Sequence, residues 1–326
     1  MAADGGTKAV VAALLANTGI AITKFIAFFM TGFSSMLAEA IHSVADAGNQ
    51  GLLLLGGKKS QKEATEEHPF GYGRERYVYS FIVAVVLFSV GGLFALYEAY
   101  HKFHEIQSGH AEIGDDWKRF VPVVVLAVAI VLESLSFRTA ILETNKIRGD
   151  ASFPQFIRRA KQPELPVILL EDFAALVGLA FAFLGVTLML VTGNQYFDVA
   201  GTALIGLLLV VVAIVLALET KSLLLGESAS GAAQTRIATA LADTVGVTGI
   251  IHLKTLHLGP EELLVAAKIA VDGASTAADV AAAIDAAEQA IRAVEPTASA
   301  IYLEPDLYRA DYQPATRPER PGAPSH

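Results

Sequence analysis

The chain has 326 residues, of which 53% are hydrophobic and only 17% charged, and its mean hydropathy is +0.49. It has no cysteine, which excludes disulfides, thiolate metal sites and cysteine nucleophiles. The net charge of −9 argues against a nucleic-acid partner.

Six apolar runs follow one another, at about residues 9–31, 34–56, 77–98, 120–142, 165–191 and 198–222. Each is near the ~20 residues that cross a bilayer as a helix. Met1 to Thr7 is too short and too uncharged for the n-region of a signal peptide, so the first run is expected to be a retained span. Lys24 lies near the middle of that run and needs a partner, because an ammonium in hydrocarbon is costly.

The second run carries the densest chemistry. Glu39, His42, Asp46 and Asn49 are spaced +3, +4, +3. At about 100° per residue they fall within a stripe roughly 80° wide. Ionisable groups on one face of one span require compensation. An imidazole and a carboxylate at i, i+4 suit a shared divalent cation, while a polar seam between helices is the plainer alternative.

The next loop, Glu67-His68-Pro69-Phe70-Gly71-Tyr72-Gly73-Arg74-Glu75-Arg76, is rich in turn formers. The third run is followed by a segment with His101, His104 and His110 among Glu105, Glu112, Asp115 and Asp116, read as solvated loop. Glu133 lies inside the fourth run, with Arg138 near its end. Glu171 and Asp172 lie in the fifth, about 100° apart on a helix. Asp198 opens the sixth, where a helix N-cap is its expected role.

Basic residues concentrate in two loops. Lys58, Lys59, Lys62, Arg74 and Arg76 follow the second run; Lys146, Arg148, Arg158, Arg159 and Lys161 follow the fourth. The positive-inside rule then puts both termini in the cytoplasm. In that frame Asp46, Asp172 and Glu133 lie roughly 15, 12 and 13 Å from the inner ends of their spans, a shared level near mid-membrane.

Composition changes after Leu225-Gly226-Glu227. A helix is expected over Thr235–Thr244, strands over Gly249–Leu258 and Glu262–Val271 around a Gly259-Pro260 turn, an Ala-rich helix over Thr276–Val294 and a strand over Ala298–Leu303. The expected fold is an all-α six-helix transmembrane bundle (1–227) with a small cytoplasmic α+β domain of ferredoxin-like αββαβ order (228–308) and a disordered tail (309–326). His252 and His257 are five apart in a strand and so face opposite sides.

Six spans, His42-x-x-x-Asp46, acid on the fifth span, the His68-Pro69-Phe70-Gly71-Tyr72-Gly73-Arg74 loop and an αββαβ tail ending in Glu304-Pro305 occur together. Over about residues 8–306 the chain resembles the cation diffusion facilitator family of metal/proton antiporters. The resemblance implies a homodimer paired through the tail domains and a tetrahedral site between spans two and five, with His42, Asp46 and Asp172 as ligands. The family's histidine four residues before that aspartate is Ile168 here, so Glu171, Glu39, Asn49, Glu133 or water must complete the set. His68 matches the first histidine of a secondary loop site whose second histidine is Tyr72.

The expected function is divalent metal efflux by Zn2+/H+ antiport with alternating access, rather than enzymatic catalysis. Zn2+ is the first choice of transported ion, with Mn2+, Fe2+ or Co2+ as alternatives for an oxygen-rich site. Metal needs neutral imidazole and ionised carboxylates, so protons compete with it. An intramembrane metalloenzyme is the competing reading, weakened by the lack of a His-Glu-x-x-His helix. The expected location is a bacterial plasma membrane.

Overall fold

The computed structural model describes residues 2–108 and 120–309. They fall into two compact units, the first running to Glu227 and including Leu258–Glu261, the second made of Ser228–His257 and the residues from Glu262 on.

Each apolar run lies in a helix of the first unit. Helices α1 (Ala2–Thr31) and α2 (Ser34–Ser60) are separated by Gly32, whose φ of 68° ends α1. The next helix starts as α3 (Glu75–Val86), passes through a π-helical segment, Leu87–Leu93, and continues as α4 (Phe94–Gln107). Then come α5 (Val121–Ile147), the short α6 (Phe153–Arg159), α7 (Glu164–Thr192) and α8 (Tyr196–Leu225). The caps explain several boundaries. Pro122 occupies the first turn of α5, Ser152 and Gln155 form a capping box on α6, and Gly193, at φ 71°, closes α7. Among the described residues, four helical stretches are long and apolar enough to cross a membrane: Glu75–Gln107, Val121–Ile147, Glu164–Thr192 and Tyr196–Leu225.

The core of this unit joins Met36, Leu53, Val83, Leu87, Leu126, Val167, Leu179, Ile205, Leu209 and Leu216, drawn from α2, α3 with its π segment, α5, α7 and α8. Small residues let the helices approach. Gly185 of α7 and Gly201 of α8 face one another so closely that a Cβ on either would meet a backbone oxygen at 2.8 or 2.9 Å.

Three local expectations change. Periodicity carried no sign of the π segment, because one inserted residue shifts the face without altering composition. His101 and His104 are not in a loop; α4 extends beneath them and their rings lie against Tyr97 and Tyr100. Asp198 does not cap its own helix. It sits in the first turn of α8, and its Oδ2 accepts from the backbone N–H (3.1 Å) and hydroxyl (2.9 Å) of Ser34, capping α2 across the bundle. His110, Glu112, Asp115, Asp116 and the tail after 309 lie outside the described residues.

The second unit comprises α9 (Gly231–Ala242), β1 (Gly249–Gly259), β2 (Glu262–Ala270), α10 (Ala277–Val294) and β3 (Ala298–Asp306). The sheet order is β1-β2-β3, with β2 and β3 parallel and Val265 opposite Ile301. Leu263, Val265, Ala267 and Ile269 alternate inward from β2 and pack against Ile237 and Leu241 of α9 and Ala287 and Ile291 of α10. The result is two layers, helices on one face of a small sheet.

Candidate metal centre

Helix α2 turns Glu39, His42, Asp46 and Asn49 into the bundle, and none is more than 6% exposed. The i, i+4 spacing brings His42 and Asp46 together: Nδ1 of the imidazole lies 3.4 Å from Oδ1 of the carboxylate. Neither atom has a hydrogen-bond partner, and neither does His42 Nε2. Buried polar atoms are normally paired, so three orphans on two adjacent side chains require an explanation. Two donors each about 2.1 Å from one ion are about 3.4 Å apart at the tetrahedral angle and about 3.0 Å at a right angle. The observed separation of 3.4 Å equals the edge of a tetrahedral site.

The other predicted residues are distributed around this pair. Glu171 Oε1 accepts from Asn49 Nδ2 at 2.6 Å, tying α7 to α2. Asp172 Oδ2 accepts from the Ser136 hydroxyl of α5 at 3.0 Å. Asp46 interacts electrostatically with Glu171, Glu133, Lys24 and Asp172, and Glu133 with Lys24, Asp172 and Glu39. Acids from α2, α5 and α7 therefore share one region. Glu39 is drawn away from His42 into an ion pair with Lys24 of α1, Nζ to Oε2, at 2.9 Å. His68 is exposed in its loop, edge-on to Tyr72 at 4.7 Å, and is not part of the buried group. Ile168 packs against the apolar core and offers no donor. Among the described residues, no three His, Asp or Glu side chains already stand as a metal cage. The pair in contact is His42 and Asp46, while Asp172 and Glu171 each accept one side-chain hydrogen bond, from Ser136 and Asn49.

Sequence reasoning passed over two residues. Ser136, which orients Asp172, lies three residues after Glu133 and so on the same helix face, a signal that was available. Gly91, in the π segment, lies against α8 and beside His42: a Cβ there would be 3.2 Å from Leu209 Cδ1 and 4.0 Å from His42 Nδ1. Only the fold reveals that approach.

The family model described as the cation efflux transmembrane domain matches residues 10–225. The proton-coupled zinc antiporter SLC30A9, mitochondrial, of Homo sapiens is 31% identical over 276 residues, covering 82% of this chain and 46% of that protein. Metal tolerance protein C4 of Arabidopsis thaliana is 28% identical over 269 residues, covering 82% of this chain and 57% of that one. The chain thus spans about half the length of these relatives. A solved nickel form of a MamM C-terminal domain variant matches with 22% identity and a TM-score of 0.24, over 24% of this chain and all of that one. With the match running across all the long helices that frame His42, Asp46 and Asp172, this chain belongs to the cation efflux, or cation diffusion facilitator, family.

Proposed function

We propose that the chain is a Zn2+/H+ antiporter that expels the metal by alternating access around His42, Asp46 and Asp172. One observation carries this reading: the buried, unpartnered Nδ1 and Oδ1 of His42 and Asp46, separated by a tetrahedral ligand edge. Tetrahedral nitrogen–oxygen sites suit zinc, and the 3.4 Å separation is nearer a tetrahedral edge than the about 3.0 Å of a right angle. The zinc antiporter name carried by the human relative supports the same choice.

Metal entering from the cytoplasm bridges His42 and Asp46. Asp172 leaves Ser136 to become the third donor, and Glu171 or water completes the set. Binding requires the imidazole neutral and the carboxylates ionised, so protons arriving from the outer side displace the ion and are carried inward on the return. Rocking of helix groups around a mid-membrane site supplies the alternation.

In this reading α1 and α2 join the four apolar stretches as a six-span bundle, the second unit is a ferredoxin-like cytoplasmic domain pairing two protomers, and the membrane is a bacterial plasma membrane. The basic residues clustered after α2 and after α5 support cytoplasmic termini. The test is ΔpH-driven 65Zn uptake into inverted vesicles. His42→Ala and Asp172→Ala are each expected to abolish it; uptake that survives both substitutions overturns the site.

A further inference from the structure

Lys24 is 1% exposed in the seam between α1 and α2. A buried ammonium needs acceptors for its three N–H bonds, and α2 supplies them. Nζ donates to Glu39 Oε2 and Ser43 Oγ, each at 2.9 Å, and approaches the Glu39 carbonyl at 3.5 Å. This is an all-oxygen shell carrying one negative charge, the donor type that hard divalent cations such as Mn2+ prefer. The second carboxylate oxygen, Glu39 Oε1, is buried without a partner. It abuts α7, where a Cβ on Gly178 would lie 3.0 Å away. The carboxylate thus has one oxygen committed to Lys24 and one spare. Along α2, Glu39 lies seven residues, about 10 Å, from Asp46, and Ser43 three residues, about 4.5 Å.

Stability does not call for this arrangement. A buried ion pair replaced by well-packed apolar side chains is often no less stable, so the pair requires another reason. We propose that Glu39 and Ser43 form a second cation site, distinct from the His42–Asp46 edge, and that the Lys24 ammonium is its tethered occupant. A built-in monovalent cation keeps a second divalent ion out of the seam and holds the transporter to the ion at His42. The inference goes beyond the antiport reading and does not require His42 to bind the transported metal.

The test is a Mn2+ titration of the full chain in detergent, counting bound ions by electron paramagnetic resonance. Lys24→Met is expected to bind one more Mn2+ per chain than wild type, and Lys24→Met with Glu39→Gln to return to the wild-type count. An unchanged count in folded Lys24→Met, or an extra ion that persists without the Glu39 carboxylate, overturns the proposal. If Lys24→Met does not fold, anomalous scattering from wild-type crystals soaked in Mn2+ decides. An ion on Glu39 Oε2 overturns the proposal; none at that position, with ions bound elsewhere, supports it. His42→Ala in the same titration reports on the principal site alone, so failure of one reading is separable from failure of the other.

Discussion

Asp46→Asn keeps the shape of the side chain and removes the charge that faces His42. In the structure Asp46 Oδ1 is 3.4 Å from His42 Nδ1 and unpartnered, so the substitution turns one of two donors already in position from an anionic carboxylate into a weak neutral amide. Zinc held by four ligands is bound by about 10–16 kcal/mol, or about 3 kcal/mol per ligand. At 1.4 kcal/mol per tenfold, losing most of that ligand's contribution weakens affinity roughly 100-fold. The assay is competition for Zn2+ between the purified full chain in detergent and a chromophoric chelator at fixed pH. Size-exclusion behaviour and thermal unfolding of the variant establish that it is folded. A folded Asp46→Asn protein whose zinc affinity stays within about threefold of wild type would refute the argument, because the preformed edge would then not be the binding edge.

Asp198→Ala removes two hydrogen bonds to Ser34 and uncaps α2 from across the bundle, and is expected to cost about 2–4 kcal/mol, read as a lowered unfolding temperature in micelles. Gly185→Ala drives a methyl group to 2.8 Å from the Phe197 carbonyl oxygen, a backbone atom that cannot rotate away, and is expected to destabilise the α7–α8 contact by about 1–3 kcal/mol in the same assay. In the second unit, Thr276→Ala breaks the capping box of α10 and costs about 1 kcal/mol, measured as faster amide exchange along Ala277–Val294. The Thr276 hydroxyl and backbone N–H hold the Asp279 carboxyl below its usual range. A depressed folded value means that the cap contributes above the unfolded value of about 3.9 and fades as pH falls through the folded one. Protection of the α10 amides, taken relative to the intrinsic exchange rate at each pH, should therefore fall on acidification below about pH 4 in wild type, and less so in Thr276→Ala.

The local parts of this architecture were legible because their signals repeat at short range. The apolar runs read from composition each lie in a helix, since about 20 apolar residues can satisfy their backbone in lipid only that way. The strand and helix order after Glu227 was legible from alternation and turn residues, down to the Gly259-Pro260 break. The approach of His42 to Asp46 follows from i, i+4 geometry alone. Asp198 shows the limit of local reading. Its position at a helix start suggested a cap, and capping is its role, but for α2, a helix that begins 164 residues earlier.

By itself, the sequence determined which residues carry ionisable groups into the apolar runs and which of them share a helix face, because helical periodicity is a property of neighbours along the chain. The tertiary structure decided the partners: Glu39 with Lys24, Asn49 with Glu171, Ser136 with Asp172, and Asp198 with Ser34. Those pairings depend on the rotation and depth of each helix relative to the others, which are set by packing at residues such as Gly178, Gly185 and Gly201, where no Cβ keeps the helices apart.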